Sequence, residues 1–277
     1  MKKILVLILG IQFAYGFSQK NIKVYQERKG DTLVYYADNQ EVYPMSFVFS
    51  GTPELENAKA PEAFKKVQII PAQSLKNQIA YFVVLDKKKK WGARKMPGYT
   101  MYIGDVSQTS YDADYQYDLP FKKGNTFTVH QGYNGAFSHR NENSLDFKMP
   151  EGTEITAARE GIVTDFVKHH NTGCPSKSCV EQGNYVTIMH SDGTFAQYYH
   201  LKENGVKVNL GDQVKKGDVI ALSGNTGWSN GPHLHFACYI PNLAEEKLMK
   251  TVKTLFRTGN GDKAEYLAEK KKYSRQY

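Results

Sequence analysis

The sequence predicts a mainly β protein built in two parts, and three observations carry that prediction. Short runs rich in β-branched and aromatic residues recur along most of the chain, each bounded by Gly, Pro, Asn or Asp. The dipeptide Asp192-Gly193 lies between two such runs, a strong hairpin signal because tight hairpin turns need backbone conformations that these residues tolerate. Heptads, long helical periods and internal repeats are missing.

At 277 residues the chain suffices for one large domain or two ordinary ones, with ample apolar sequence for a core. Lys2 and Lys3, the apolar run 4–13 and the small residues Gly16 and Ser18 form the three regions of a secretory signal peptide, expected over residues 1–18. The apolar run falls short of the about 20 residues that a spanning helix needs. The mature protein is therefore expected to be exported, to the periplasm or the extracellular space, with no integral membrane span. No cysteine near residue 18 supports lipid attachment. Removing Lys2 and Lys3 lowers the formal charge from +8 to +6. A modestly basic surface suits an anionic wall polymer, nucleic acid or simple solubility, so charge alone selects no partner.

Residues 19–115 are expected to form a small all-β domain, with a sandwich as the suggested arrangement, from runs at 32–36, 46–50, 66–70, 79–85 and 99–103. Lys87 to Lys90 fall between two of these runs and suit a solvated hairpin tip. Residues 112–123, rich in Asp, Tyr and Lys and containing Pro120, are the predicted linker. A second domain over 116–250 carries runs at 126–130, 154–158, 162–167, 185–190, 195–200 and 219–223. The Gly-Asp pairs at 211–212 and 217–218 resemble hairpins of lipoyl and biotinyl carriers, but no lysine motif for modification accompanies them, so they are structural. Residues 251–277 are a C-terminal strand and a lysine-rich tail, predicted helical over 263–273.

Chemistry concentrates in the second domain, since all eight histidines lie between His130 and His235. In a strand, residues two apart share a face, so His233 and His235 project together while Leu234, Phe236 and Cys238 face the core. Cys238 is thus expected to be a buried thiol, not a metal ligand. His139 followed by Asp146 or Glu142 adds a histidine and a carboxylate. Leu145-Asp146-Phe147 alternates like a strand that holds its carboxylate on one face, which favours Asp146. Two histidines and a carboxylate would leave the fourth tetrahedral position of a zinc ion open, the mark of a catalytic site. His200 closes the run after the Asp-Gly turn. Cys174 and Cys179 enclose a four-residue loop and can close as a local disulfide in an oxidising compartment, two free thiols being the alternative. Three cysteines exclude a four-cysteine metal site.

The ordered set His139-x6-Asp146, Tyr199-His200-Leu201 and Ser223-Gly-Asn-Thr-Gly-Trp-Ser-Asn-Gly-Pro-His-Leu-His-Phe236 resembles the signature of the lysostaphin/LytM-type zinc metallopeptidases. Asp146-Phe-Lys-Met-Pro-Glu-Gly-Thr153 and Ala157-Ala-Arg-Glu-Gly161 add to the likeness, which covers residues 130–241. The resemblance implies an antiparallel β-sheet groove of barrel-sandwich hybrid-like type, with one zinc ion held by His139, Asp146 and His235. It makes His200 and His233 the catalytic pair, and Tyr133 resembles a tyrosine that stabilises the transition state in some members. The first spacing is longer than the family's commoner one, which keeps Glu142 open as the carboxylate ligand. The implied activity is hydrolysis of peptide cross-links in peptidoglycan through a zinc-activated water, on stem peptides or cross-bridges. Alternatives are a non-enzymatic activator of wall amidases and a same-mechanism protease of extracellular proteins. No nucleic-acid partner is expected. The loop carrying the cysteine pair and the loop 225–230 are expected to wall the groove.

Overall fold

The computed structural model of the protein describes residues 21–60, 64–95, 97–244 and 249–277, so the predicted signal segment lies outside the described residues. The chain divides into two compact units, Met1–Val106 and Ser107–Tyr277. No helix among the described residues is long and apolar enough to cross a membrane.

In the first unit, strands Ile22–Lys29, Thr32–Asn39 and Ser74–Val84 pair antiparallel, with Ala58–Lys59 on the far edge. Gly30 adopts φ 58° at the two-residue turn between the first two. A second sheet orders Val67–Ile70, Met45–Phe49 and Tyr99–Ile103. Met45, Phe47, Phe49, Ile70 and Phe82 are fully buried and form the centre of this unit. The strand Ile22–Lys29 escapes sequence prediction because it is a charged edge strand without clean alternation. Lys87 to Lys90 occupy a turn, where Lys87 pairs with Asp31 at 2.5 Å and Lys89 with Asp86 at 3.7 Å.

The second unit is built on one antiparallel sheet. Its order is Gln213–Val214, Gly161–Val167, Tyr185–Met189, Phe195–Tyr199, His233–Pro241, Ser144–Lys148, Thr126–Gln131 and Lys272–Ser274. Met249–Val252 extends the pairing along His233–Pro241. One face is apolar: Leu145, Phe147, Leu234, Phe236 and Tyr198 are buried to 1% or less, and Phe256 of the separate strand Leu255–Thr258 packs on Phe147 and Phe236. The opposite face carries the polar alternates of the same strands, as a period of two requires. The Asp192-Gly193 turn joins Tyr185–Met189 to Phe195–Tyr199, with Gly193 at φ 78°. Cys174 and Cys179 form a disulfide, and the Cys238 thiol is buried, its pKa pushed up to about 11 by burial.

Two sequence expectations are corrected here. The segment 112–123 is no linker, because Tyr117, Leu119 and Phe121 alternate into the core of the second unit. Between them Asp118 is buried with two guanidinium groups, Arg275 Nη2 at 2.8 Å and Arg257 Nη2 at 2.8 Å. The segment 263–273 is not helical. Gly259 and Gly261, both at positive φ, reverse the chain so that Lys263–Tyr266 pairs with Leu255–Thr258. The buried apolar residues that follow, Leu267 and Tyr273, are six apart, a spacing no single helical face accommodates. Arg275 is buried too, donating to the Phe121 carbonyl at 2.9 Å and to Thr156 Oγ1 at 3.0 Å. Asp118→Ala would strand this buried charge, and we expect it to lower unfolding free energy by about 3 kcal/mol in a denaturant titration. An unchanged midpoint would contradict the ion-pair argument.

Candidate metal centre and cleft

The polar face of the second unit's sheet floors a cleft of about 1430 Å³. Register sets what meets there. Asp146 pairs with His235, and His235 with Tyr199 on its other side. A bulge between Val129 and Gln131 breaks alternation in Thr126–Gln131 and puts Gln131 opposite Asp146. Four neighbouring strands thus contribute to one row across the cleft floor.

His139 reaches that row from the loop after Thr126–Gln131, and His139 Nε2, Asp146 Oδ1 and His235 Nδ1 lie 3.0–3.2 Å from one another. They form the His/Asp/His group that could hold a metal ion. A tetrahedral ion at about 2.0–2.1 Å from each ligand would set ligand edges of about 3.3 Å, so the spacing fits. Chemistry points the same way. His139 Nδ1 donates to the Gly132 carbonyl at 3.1 Å, which leaves the Nε2 lone pair facing a carboxylate oxygen and a second ring nitrogen. Such a convergence of lone pairs calls for a cation, a proton or a metal ion. Electrostatics agree. Burial opposes ionisation of Asp146, yet the hydrogen bonds from His139 and His235 hold its carboxyl well below the usual carboxylate range. Burial likewise disfavours protonated His139, but Asp146 outweighs it and raises the pKa. Asp146 Oδ2 accepts from Gln131 Nε2 at 3.3 Å, and Gln131 also donates to Ser138 Oγ at 2.7 Å. Sequence reading missed Gln131, since only the bulge reveals that it faces Asp146.

Glu142 also lines the cleft, but the carboxylate that meets both histidines is that of Asp146. His200 and His233 flank the metal row with ring centroids 4.5 Å apart, and His200 lies 6.0 Å from His235. His200 has φ 63°. In a regular strand it would point away from Tyr199, whereas this left-handed residue ends the strand and lets both side chains line the cleft. Its Nδ1 donates to the Thr226 carbonyl at 2.7 Å, and His233 Nδ1 donates to the Gly231 carbonyl at 2.8 Å. Each therefore keeps a lone pair on Nε2. Burial, helped by the neighbouring His233 and His235, lowers the His200 pKa to about 3, and burial also lowers that of His233. Both rings are neutral at neutral pH. The Thr226 carbonyl is set by Gly227, whose φ of 81° and approach to Gly183 exclude a side chain: a Cβ there would come within 2.7 Å of Gly183 Cα.

Tyr133 is not brought into this group. Its hydroxyl donates to the Thr254 carbonyl at 2.9 Å, and its ring packs against the core because the glycine-flanked turn at 132–135 folds it away from the cleft floor. The walls include Val180 beside the disulfide, Trp228 to Pro232, and the loop 136–143, the last unanticipated from sequence. Trp228 Nε1 donates to the Pro175 carbonyl at 3.2 Å and so ties the disulfide loop to its neighbour.

Residues 140–247 match the model of Peptidase family M23. The match includes Asp146, His200, His233 and His235, with His139 one residue before it. The peptidoglycan DD-endopeptidase ShyA of Vibrio cholerae serotype O1 is 30% identical over 129 residues, 47% of this chain and 27% of ShyA. The glycyl-glycine endopeptidase ALE-1 of Staphylococcus capitis is 32% identical over 137 residues, 49% of this chain and 33% of ALE-1. The chain thus spans a third or less of the length of these relatives. The solved structure of lysostaphin from Staphylococcus simulans is 29% identical, covering 45% of this chain and 47% of that one at a TM-score of 0.35. The matched segment, together with the motif residues gathered on one sheet face, marks residues 140–247 within the second unit as a domain of peptidase family M23.

Proposed function

We propose that the protein is an exported zinc metalloendopeptidase that hydrolyses peptide cross-links of bacterial peptidoglycan, with His139, Asp146 and His235 holding one zinc ion. The observation that carries this reading is the convergence of three ligand atoms at the floor of an open cleft, beside two histidines whose Nδ1 atoms each meet a main-chain carbonyl. Zinc bound there supplies Lewis acidity, lowering the pKa of water toward about 7 and polarising a carbonyl. The chain's own residues do the rest. His200 and His233 each accept a proton at Nε2, and once protonated each donates from that atom to a developing oxyanion or to the leaving amine. The Gly231 and Thr226 carbonyls hold both rings in the required tautomer. Peptidoglycan is the favoured substrate because two of the similar proteins are named as a peptidoglycan DD-endopeptidase and a glycyl-glycine endopeptidase.

Metal analysis and cleavage of purified peptidoglycan, followed by mass, test this for the mature chain and for His235→Ala. Near-stoichiometric zinc and new free amines in the unmodified chain, both lost in the variant, are the expected result. Zinc without wall cleavage would redirect the substrate to extracellular proteins, and a metal-free chain would favour an activator without catalysis.

A further inference from the structure

The His233 end of the cleft is basic. Lys148 lies two residues from Asp146 on the same strand and pairs directly with His233. Two residues of strand measure about 6.6 Å, roughly the reach of two residues of an extended peptide laid over the metal row. The next strand brings His130, exposed at the bulge two residues beyond Thr128, the partner of Lys148. Beyond it Lys270, at φ 65°, donates its backbone N–H to the Val129 carbonyl at 2.7 Å. All three side chains belong to residues that line the cleft. The nearby carboxylate, Glu269, is partly occupied: it accepts from the Gly132 N–H at 3.2 Å and meets Lys270 only at 3.8 Å. Among the described residues no ion pair of Lys148 is found. The ammonium groups of Lys148 and Lys270, with the exposed His130 imidazole between them in the chain's sheet order, sit on two adjacent strands and the turn that leads into the third, open to solvent and one step from the reacting position, and suit an anionic group on the substrate. A neutral glycine bridge has nothing to offer them.

We propose that Lys148, with Lys270 and His130, forms a carboxylate-binding subsite, so that the cleft selects acidic stem peptides over neutral cross-bridges. This rests on the reading of the cleft as a peptidase site. Lys148 is the specificity-determining residue, since its ammonium projects from the same strand as the metal-site carboxylate. The subsite lies on the cleft floor, so it acts on peptide already seated and not on distant encounter.

The test uses the metal-loaded full chain and a stem tetrapeptide carrying its free carboxylates, compared by calorimetry with the same peptide fully amidated. The free acid is expected to bind about tenfold more tightly, the size of one charge-assisted hydrogen bond. Lys148→Gln should remove that preference and Lys148→Glu should reverse it. Lys148 is exposed, so both variants are expected to keep the melting temperature of the parent. A preference that survives in Lys148→Gln would mean that the metal reads the carboxylate, and would overturn the proposal. Equal or undetectable binding of the two peptides would overturn it as well. Cleavage of a cross-linked peptide is scored separately. A Lys148-dependent preference without cleavage would refute the peptidase reading and leave the subsite standing, whereas cleavage without preference would do the reverse.

Discussion

His200→Ala is expected to lower turnover by about 10²–10⁴-fold while bound zinc stays near one per chain. The size follows from removing a positioned proton acceptor, and the retained metal follows from geometry. His139, Asp146 and His235 are mutually within 3.2 Å, and the His200 ring is 6.0 Å from the nearest of these imidazoles measured between centroids. The imidazole is buried, so its loss also leaves a cavity and an unmet Thr226 carbonyl. Metal content measured beside kcat separates the two effects. A variant that loses its zinc would show that His200 belongs to the ligand set and not to the proton-handling pair. His233→Ala is expected to behave alike, with the added loss of its bond to the Gly231 carbonyl.

Asp146→Asn should abolish stoichiometric zinc, and turnover with it. The carboxylate meets both ligand imidazoles through the same oxygen and is the anionic member of the set. Disturbing groups that merely support ligands costs about 10–100-fold in metal affinity, so removing the charged ligand itself should exceed about 100-fold. Stability reports the same event. Zinc at 100 times its dissociation constant stabilises a protein that binds it only when folded by about 2.7 kcal/mol. The unmodified chain should therefore melt at a higher temperature when zinc is added, and Asp146→Asn should not. An equal shift in both would place the metal elsewhere.

Much of this site was legible in the sequence because strand parity is a simple code. His233 and His235 share a face, Cys238 takes the other, and Leu145-Asp146-Phe147 alternates as read. What sequence could not show depends on departures from that code. The bulge at residue 130 turns Gln131 toward Asp146, and the left-handed backbone at His200 puts two consecutive side chains into one cleft. Tyr133 lies outside the cleft lining for a related reason, since a turn between glycines leaves its direction to tertiary packing. Composition misled twice. Asp, Tyr and Lys around 112–123 conceal an alternating core segment, and lysines at 263–273 conceal two short strands whose buried positions are few and widely spaced.

Three of the site's imidazoles, those of His139, His200 and His233, are oriented in one manner: each gives its Nδ1 proton to a main-chain carbonyl, of Gly132, Thr226 and Gly231 respectively. Replacing the side chain of Thr226, or adding one at Gly132 or Gly231, leaves the orienting carbonyl itself in place, so the orienting groups show only through backbone shifts such as the one a side chain at Gly227 would force. Besides burial and neighbouring charge, bending the loops that carry those carbonyls is a way to retune such a site. A change several residues away in the 225–231 loop would then read out as altered acid–base behaviour, with every histidine intact.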